Sequence, residues 1–327
     1  MTVKAHLFRG LKCLSHDRFR SGPEIAAALG ISRATLSNSL KDTEQFGVSI
    51  YKVQGRGYRL AKPLDWLAYP QIVDALGPMA KFFNVEVVDL SPSTNSILMD
   101  KAALGAPNGT VLAAEFQSNG RGRRGRSWFA PLCGGVTFSL LWRFNQGAAQ
   151  LSCLSLAVGV AVARTLRELG LEDVQLKWPN DILYRFHKLG GILIELSGDV
   201  LGPTYAVIGI GINMRLDESS LEKINQATTD LASLMESPPS RSVVLGKLLA
   251  QLGNVLPQFE TEGFAPLRDE WHQLHAYQNR PVRMLLPRNT IEEGVVTGVA
   301  SDGSLLLERP SGLTRYTVGE ISLTAVP

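Results

Sequence analysis

Cysteine is scarce in this chain: three among 327 residues, at Cys13, Cys133 and Cys153. Their spacing suits neither a metal site nor a disulfide framework, so a reducing, cytoplasmic location is expected. Histidine is equally thin, with five scattered residues. That leaves little for a Ser-His or Cys-His triad, and no metal site is expected. His272 and His275 read as a helix-surface pair with no third ligand nearby. There is no Walker loop and no Gly-x-Ser-x-Gly elbow. Gly209-Ile210-Gly211-Ile212-Asn213-Met214 misses the dinucleotide fingerprint, because Met214 stands at the third glycine position. Long apolar runs are missing too. Leu151 to Val162 is too short to span a bilayer and continues into Arg164 and Arg167, so it reads as a packed helix. Met1 to His6 lacks the apolar core of a signal peptide. Repeats and low-complexity tracts are absent, and no membrane partner is expected.

What remains is globular: 45% hydrophobic and 19% charged residues, enough chain for more than one domain. The net charge of +3 is uneven. Residues 1–62 hold eleven Lys/Arg against four Asp/Glu, or +7, and the other 265 carry −4. A small basic module therefore precedes a mildly acidic body, a distribution suited to nucleic acid or to a solvated basic surface.

Three domains are expected, at 1–63, 64–277 and 278–327. In the first, Leu7 to Leu14 has helical spacing. Ser21 caps a helix over Pro23 to Leu29, and Gly30 breaks it. Ser32 caps a third helix over Arg33 to Phe46, closed by Gly47. Val48 to Val53 and Tyr58 to Leu60 form a hairpin with Arg56 at its tip, the wing of a winged helix-turn-helix. The recognition helix offers Ser32, Arg33, Thr35, Ser37 and Asn38 to base edges; a protein-docking role is the other use of such a module. The middle mixes strands (Val85 to Leu90, Val111 to Ala114, Val136 to Trp142, Gly191 to Leu196, Tyr205 to Ile212) with helices (Asn95 to Leu104, Leu151 to Leu169, Val243 to Glu262), a mixed α/β region. The tail carries short strands at Val282 to Leu286, Ile291 to Ala300, Leu305 to Glu308 and Thr314 to Val318, a small β-barrel or sandwich. The overall class is α+β.

The chemistry concentrates in a few motifs. Gly120-Arg121-Gly122-Arg123-Arg124-Gly125-Arg126 sets four guanidiniums and three glycines between two buried strands. Glycine admits close backbone approach and arginine forks match phosphate or carboxylate, so a polyanion is the natural partner; an RNA-binding element or a solvated hairpin has the same composition. Ser91-Pro92-Ser93-Thr94-Asn95 ends a strand and opens a helix, supplying caps or a hydrogen-bonding cluster for a polar ligand head. In Lys177-Trp178-Pro179-Asn180-Asp181, Asn180 can orient a phosphate, and Asp181 can hold Mg²⁺ or accept a proton. Lys188 precedes Gly190-Gly191 and a buried strand, placed to pair with a carboxylate or an α-phosphate. Gly209 and Gly211 make flat faces along a strand that Asn213 ends.

Together the motifs at Gly120 to Arg126 with Trp128, Lys177 to Asp181, Lys188 to Leu193 and Gly209 to Asn213, in this order, resemble the bacterial biotin protein ligases over nearly the whole chain. The winged helix resembles the bifunctional subclass that also represses biotin biosynthesis genes. The resemblance implies a class II synthetase-like biotin/lipoate ligase fold and an SH3-like C-terminal barrel. It implies that biotin and ATP condense to biotinyl-5′-AMP, and that a lysine of the biotin carboxyl carrier protein then takes the biotin and releases AMP. It further implies Mg²⁺ with the nucleotide, operator DNA as partner, and a homodimer when biotinyl-5′-AMP, the corepressor, is bound. By the same resemblance Ser93, Thr94 and Asn95 hold the ureido ring, and Gln117 lies at the junction of valerate and adenylate. Arg121, Gly122 and Arg123 close over the ligand. Arg126 holds the triphosphate, Lys188 the carboxylate and α-phosphate, Gly209 and Gly211 line the biotin pocket, and Asn180 and Asn213 lie near nucleotide or Mg²⁺. Trp128 and Lys177 complete the binding set. Arg121, Arg123, Lys188 and Asp181 are the expected catalytic residues, Asp181 as base. Two departures bear on nucleotide affinity. Asn225 to Thr229 lacks the tryptophan that covers adenine in the family, and no basic residue follows Gly319 to Leu323. A lipoate or octanoate ligase and a non-catalytic ligand-sensing DNA-binding regulator are the competing readings.

Overall fold

The computed structural model describes residues 6–198, 201–224, 226–286, 290–317 and 322–325. The expectations attached to residues 1–5, to Asn225, to Val318 and to 319–321 lie outside them.

Three short helices and a hairpin form the N-terminal unit: α1 (Leu7–Lys12), α2 (Gly22–Leu29), α3 (Arg33–Ser39), β1 (Ile50–Val53) and β2 (Gly57–Leu60). Ser21 and Glu24 close a reciprocal capping box on α2, and Gly30 ends that helix at φ 66°. The third helix departs from expectation. It stops at Ser39 rather than running to Phe46; Asp42 turns left-handed at φ 63°, and Thr43–Phe46 forms a separate 3₁₀ turn closed by Gly47. Ser37, Asn38 and Ser39 are poor helix formers in succession, and aspartate tolerates the left-handed turn. The break swings Phe46 into the core, edge-on to Phe8 and to Phe116 of the next unit, at centroid distances of 5.8 and 5.1 Å. Leu132 and Cys133 join this apolar cluster, so the winged helix is seated on the central sheet.

After α4 (Tyr69–Leu76) come β3 (Asn84–Ser91), α5 (Thr94–Ala103), β4 (Thr110–Gln117), β5 (Gly135–Phe144) and α6 (Leu154–Glu168). Next are β6 (Val174–Lys177), β7 (Asp181–Tyr184), β8 (His187–Gly198), β9 (Thr204–Asn213), α7 (Glu218–Leu221), α8 (Leu231–Leu234), α9 (Arg241–Glu262) and α10 (Ala265–Leu274). The seven strands make one sheet in the order β3-β4-β5-β9-β8-β7-β6. Only β3 and β4 run parallel. One face carries α6 and α9 over Val136, Phe138, Leu140, Ile208 and Ile210. That is where the apolar Leu151 to Val162 stretch lies, as core. On the other face α5 covers Leu112, Leu141 and Val207, with Val88 and Tyr205 packed at the edge.

The C-terminal strands are β10 (Pro281–Leu285), β11 (Ile291–Val299), β12 (Leu305–Arg309), β13 (Gly312–Tyr316) and β14 (Ser322–Ala325). They pair antiparallel in the order β13-β12-β11-β10-β14. This small sheet shares the main core through Val282, Met284 and Val296. Trp178 links the two sheets, donating its indole N–H to the Gly303 carbonyl at 3.0 Å.

Candidate active site and nucleic-acid interface

The uncovered half of the sheet is floored by small residues because of register. Lys177 stands opposite Asp181, Asp181 opposite Gly191, Gly191 opposite Gly211, and Gly211 opposite Thr137. Partners in register point to one face, so a single row runs from Lys177 through two glycines to Thr137. The next row sets Ser139, Gly209 and Leu193 side by side. The glycines are needed for what stands on them. A Cβ on Gly209 would lie 2.2 Å from Asn95 Oδ1, and one on Gly211 would lie 2.4 Å from the Trp128 ring.

A cavity opens above this floor. Ser93, Thr94, Asn95, Gln117, Arg121, Gly122, Arg123, Arg126, Trp128, Lys177, Asn180, Asp181, Lys188, Gly209 and Gly211 all line it. Of the expected ligand-binding set, Asn213 alone is not in that lining. Its carboxamide instead donates to the Thr229 carbonyl at 3.0 Å, holding the 226–229 segment against the end of β9. Asn213 is itself buried.

One end of the cavity is polar and neutral. Ser93 caps α5. Gln117 Oε1 accepts from the Thr94 N–H at 2.7 Å and from its hydroxyl at 3.1 Å, which leaves the Gln117 NH₂ group to a ligand. The Ser139 hydroxyl donates to Asn95 Oδ1 at 2.5 Å. Asn95 Nδ2 donates to the Leu193 carbonyl at 3.2 Å and to Glu195 Oε2 at 2.9 Å. The other end is cationic. Burial lowers the Lys177 pKa, with Lys188 and Arg126 adding to the effect and Asp181 opposing it. Burial also lowers Arg123, with Arg124 and Arg126 adding and Asp181 opposing. Arg123 Nη1 donates to Asn180 Oδ1 at 3.3 Å, and Lys188 Nζ lies 2.7 Å from Asp181 Oδ1. Crowded cations that are this desolvated gain from an anion among them.

The arginine loop folds back on itself. The Gly122 N–H donates to the Arg126 carbonyl at 2.7 Å, the Trp128 N–H donates to the Gly120 carbonyl at 2.9 Å, and Arg124 sits at φ 56°. Asn225 aside, the segment expected to face adenine supplies Gln226 to the cavity lining, and the Lys188 N–H donates to the Ala227 carbonyl. Trp178 is 1% exposed within the core, on a cis Trp178–Pro179 peptide.

Ser139, Thr137 and Glu195 were not singled out in the sequence. The signal was there: polar residues in period two within buried strands, on the same side as the glycines. Histidine needs a correction. His275 is no surface residue but 5% exposed, stacked on Trp271 with centroids 4.5 Å apart, and burial pushes its pKa down to about 3. The turn that follows α10 docks on β6, where the Ala276 N–H donates to the Leu176 carbonyl, and that contact draws the ring inside. His272 Nε2 accepts from the Val299 N–H at 3.1 Å.

On the winged helix, Ser32, Arg33, Thr35 and Asn38 are exposed, and Ser37 accepts from Lys52 Nζ at 3.2 Å. Ser32 also caps α3. Arg56 stacks over Phe19 at 4.3 Å, and Arg59 lies between Phe19 and Tyr51. Aromatic stacking holds these wing cations extended at a basic surface.

Comparison with known proteins agrees along the chain. Residues 87–213 match the biotin/lipoate A/B protein ligase family, 7–59 match an HTH domain, and 278–324 match the biotin protein ligase C-terminal domain. The Escherichia coli bifunctional ligase/repressor BirA is 36% identical over 95% of this chain and 94% of its own length. A biotin--[acetyl-CoA-carboxylase] ligase of Mycobacterium tuberculosis is 31% identical over 80% of this chain and 97% of its own. The Aquifex aeolicus biotin protein ligase, solved with biotin and ATP, superposes with a TM-score of 0.64 at 29% identity, covering 74% of this chain and 99% of that one.

Proposed function

Since the chain belongs to the family of bifunctional biotin ligase/repressors, we propose a role for each residue of the cavity in that activity. The protein is an ATP-dependent biotin ligase that acts on the biotin carboxyl carrier protein, and a repressor that binds operator DNA through its winged helix. A lipoate or octanoate substrate is not favoured. The observation that carries the assignment of roles is the polarity of the cavity: a neutral hydrogen-bonding end at Ser93-Thr94-Asn95 and a cationic end at Arg123, Lys177 and Lys188, on one glycine floor.

The ureido ring of biotin offers one carbonyl and two N–H groups. Asn95 Oδ1 is the acceptor for an N–H, and the Gln117 amide supplies donors at the neck of the cavity. The valerate carboxylate then points to the cations. An oxygen of that carboxylate forms a bond to the α-phosphorus of ATP, and the bond from that phosphorus to pyrophosphate breaks. Two anions meet in this step. Arg121, Arg123, Arg126, Lys177 and Lys188 lower their repulsion and stabilise the charge that develops on the phosphoryl oxygens. In the second step the carrier lysine, as a free amine, attacks the acyl carbon and AMP leaves. The lysine proton has to go to a base, and Asp181 is the carboxylate of the cavity lining. Asp181 is paired with Lys188 Nζ at 2.7 Å, and phosphate that draws Lys188 away frees the carboxylate to take the proton.

Mg²⁺ enters with the nucleotide as part of the substrate. The donor set suits that form: Asp181 with Asn180 Oδ1 beside cations, and no gathering of three His, Cys, Asp or Glu among the described residues. An ion held by one carboxylate and by phosphates is the usual Mg²⁺ arrangement. Biotinyl-5′-AMP is the corepressor in this reading. Closing the arginine loop on it shifts the population toward a homodimer whose two winged helices read two half-sites. Use of ATP, the carrier protein and operator DNA supports a cytoplasmic location.

Biotin-dependent exchange of pyrophosphate into ATP, with lipoate alongside, tests the enzyme. Exchange with biotin alone is expected; exchange with lipoate alone overturns the substrate. Operator footprinting with and without biotinyl-5′-AMP tests the switch, and equal protection in both overturns it.

A further inference from the structure

Glu195 lies outside the cavity lining yet touches two residues that line it. Its carboxylate receives Arg121 Nη2 on both oxygens, at 3.0 and 2.8 Å. The same carboxylate accepts Asn95 Nδ2 at 2.9 Å. Arg121 and Glu195 are 40% and 28% exposed, so water reaches both when they part.

We propose that Glu195 is a positioning residue that sets the orientation of Asn95 and holds Arg121 until the substrate carboxylate takes it over. This rests on the ligase reading above. An asparagine amide can flip, and only its partners decide which way it points. Here both groups beyond Nδ2, the Leu193 carbonyl and the Glu195 carboxylate, can only accept. The Ser139 hydroxyl donates to Oδ1 from the other side. The flipped amide would face two acceptors with its oxygen, so the oxygen is fixed toward the floor at Gly209. That oxygen has one lone pair left, the feature that selects a ligand N–H. The same acid engages Arg121. A substrate carboxylate therefore exchanges one ion pair for another, and Arg121 remains paired throughout. Arg121 itself then contributes to binding of the substrate charge only the difference between two similar pairs, while Arg123, Lys177 and Lys188 act on that charge directly. Asn95 and the held guanidinium share one carboxylate oxygen of Glu195, so Arg121 has to swing away from Asn95 to meet the substrate carboxylate.

The test compares binding of biotin and of its uncharged carboxamide by calorimetry in the full-length protein, Glu195→Gln and Glu195→Leu. Glutamine still accepts from Asn95 but releases Arg121. Its preference for biotin over the carboxamide should rise about tenfold, the equivalent of about 1.4 kcal/mol, while the carboxamide binds as in the wild type. Leucine removes the Asn95 anchor as well, so the carboxamide itself should weaken about tenfold, with glutamine as the rescuing variant. A preference in Glu195→Gln within twofold of wild type overturns the hold on Arg121. Unchanged carboxamide affinity in a folded Glu195→Leu overturns the role toward Asn95. Failure of the wild type to bind biotin overturns the ligase reading and this proposal with it.

Discussion

Glu115 and Arg241 are each 1% exposed and form an ion pair beneath the linker to the winged helix. The pair is cross-braced. Glu115 Oε1 accepts from the Leu67 N–H at 2.8 Å, Arg241 Nη1 donates to the Asp65 carbonyl at 2.7 Å, and Arg241 Nε donates to the Gly135 carbonyl at 2.9 Å. Glu115→Gln keeps the shape and the Leu67 acceptor but strands a buried guanidinium against a neutral amide. Breaking one side of a buried pair costs about 3–5 kcal/mol. With an m-value of about 3 kcal/mol/M, the urea midpoint should fall by about 1–1.7 M. Removing both charges in Glu115→Leu/Arg241→Met costs less than the sum of the single variants, because no bare charge remains. It is not free, since the carbonyls of Asp65 and Gly135 lose their donor, at about 1–3 kcal/mol for each group left buried and unpaired. Urea unfolding followed by tryptophan fluorescence reads all of this. A loss under about 1 kcal/mol in Glu115→Gln, or strict additivity in the double variant, refutes the reasoning.

Three further outcomes are expected. Gly209→Ala places a methyl 2.2 Å from Asn95 Oδ1 and should abolish biotin binding by calorimetry while circular dichroism stays native. Arg56→Ala removes one stacked wing cation and should weaken binding to operator and random DNA alike, lowering the slope of log affinity against log salt by about one. His275 is neutral in the folded protein, with its pKa lowered to about 3 against an ordinary 6.5. The unfolded chain therefore binds the extra proton between those values, and His275 contributes stability above pH 6.5 that is lost as pH falls. Between pH 5.5 and 4 each unit removes about 1.4 kcal/mol, which His275→Gln should abolish in urea midpoints measured across that range.

The motifs were legible because they are local. A cap at Ser21, a glycine-rich arginine run and the Lys177 to Asp181 run are each complete within a few residues. The strands were legible because buried β runs are apolar and bounded by turns. What escaped depends on partners distant in sequence. The break after Ser39 is fixed by Phe46 reaching Phe116, seventy residues on. His275 is buried by β6 and Trp271, which its spacing from His272 does not reveal. Asn213, two residues beyond Gly211, donates its Nδ2 to the Thr229 carbonyl, a contact its sequence neighbours do not reveal.

The register of the sheet explains why one chain can join two activities. Glu115 and Gln117 are two residues apart on β4. The first holds the Leu67 N–H of the linker, and the second holds the Thr94 N–H at the start of the helix that faces the ligand. The arginine loop leaves β4 just beyond Gln117, and its far end returns through Leu132 and Cys133, which pack against Phe46 of the winged helix. A ligand that orders this loop therefore acts on a segment anchored at one end to the cavity and at the other to the DNA-binding unit. The cavity and the seat of the winged helix therefore share one strand and one loop.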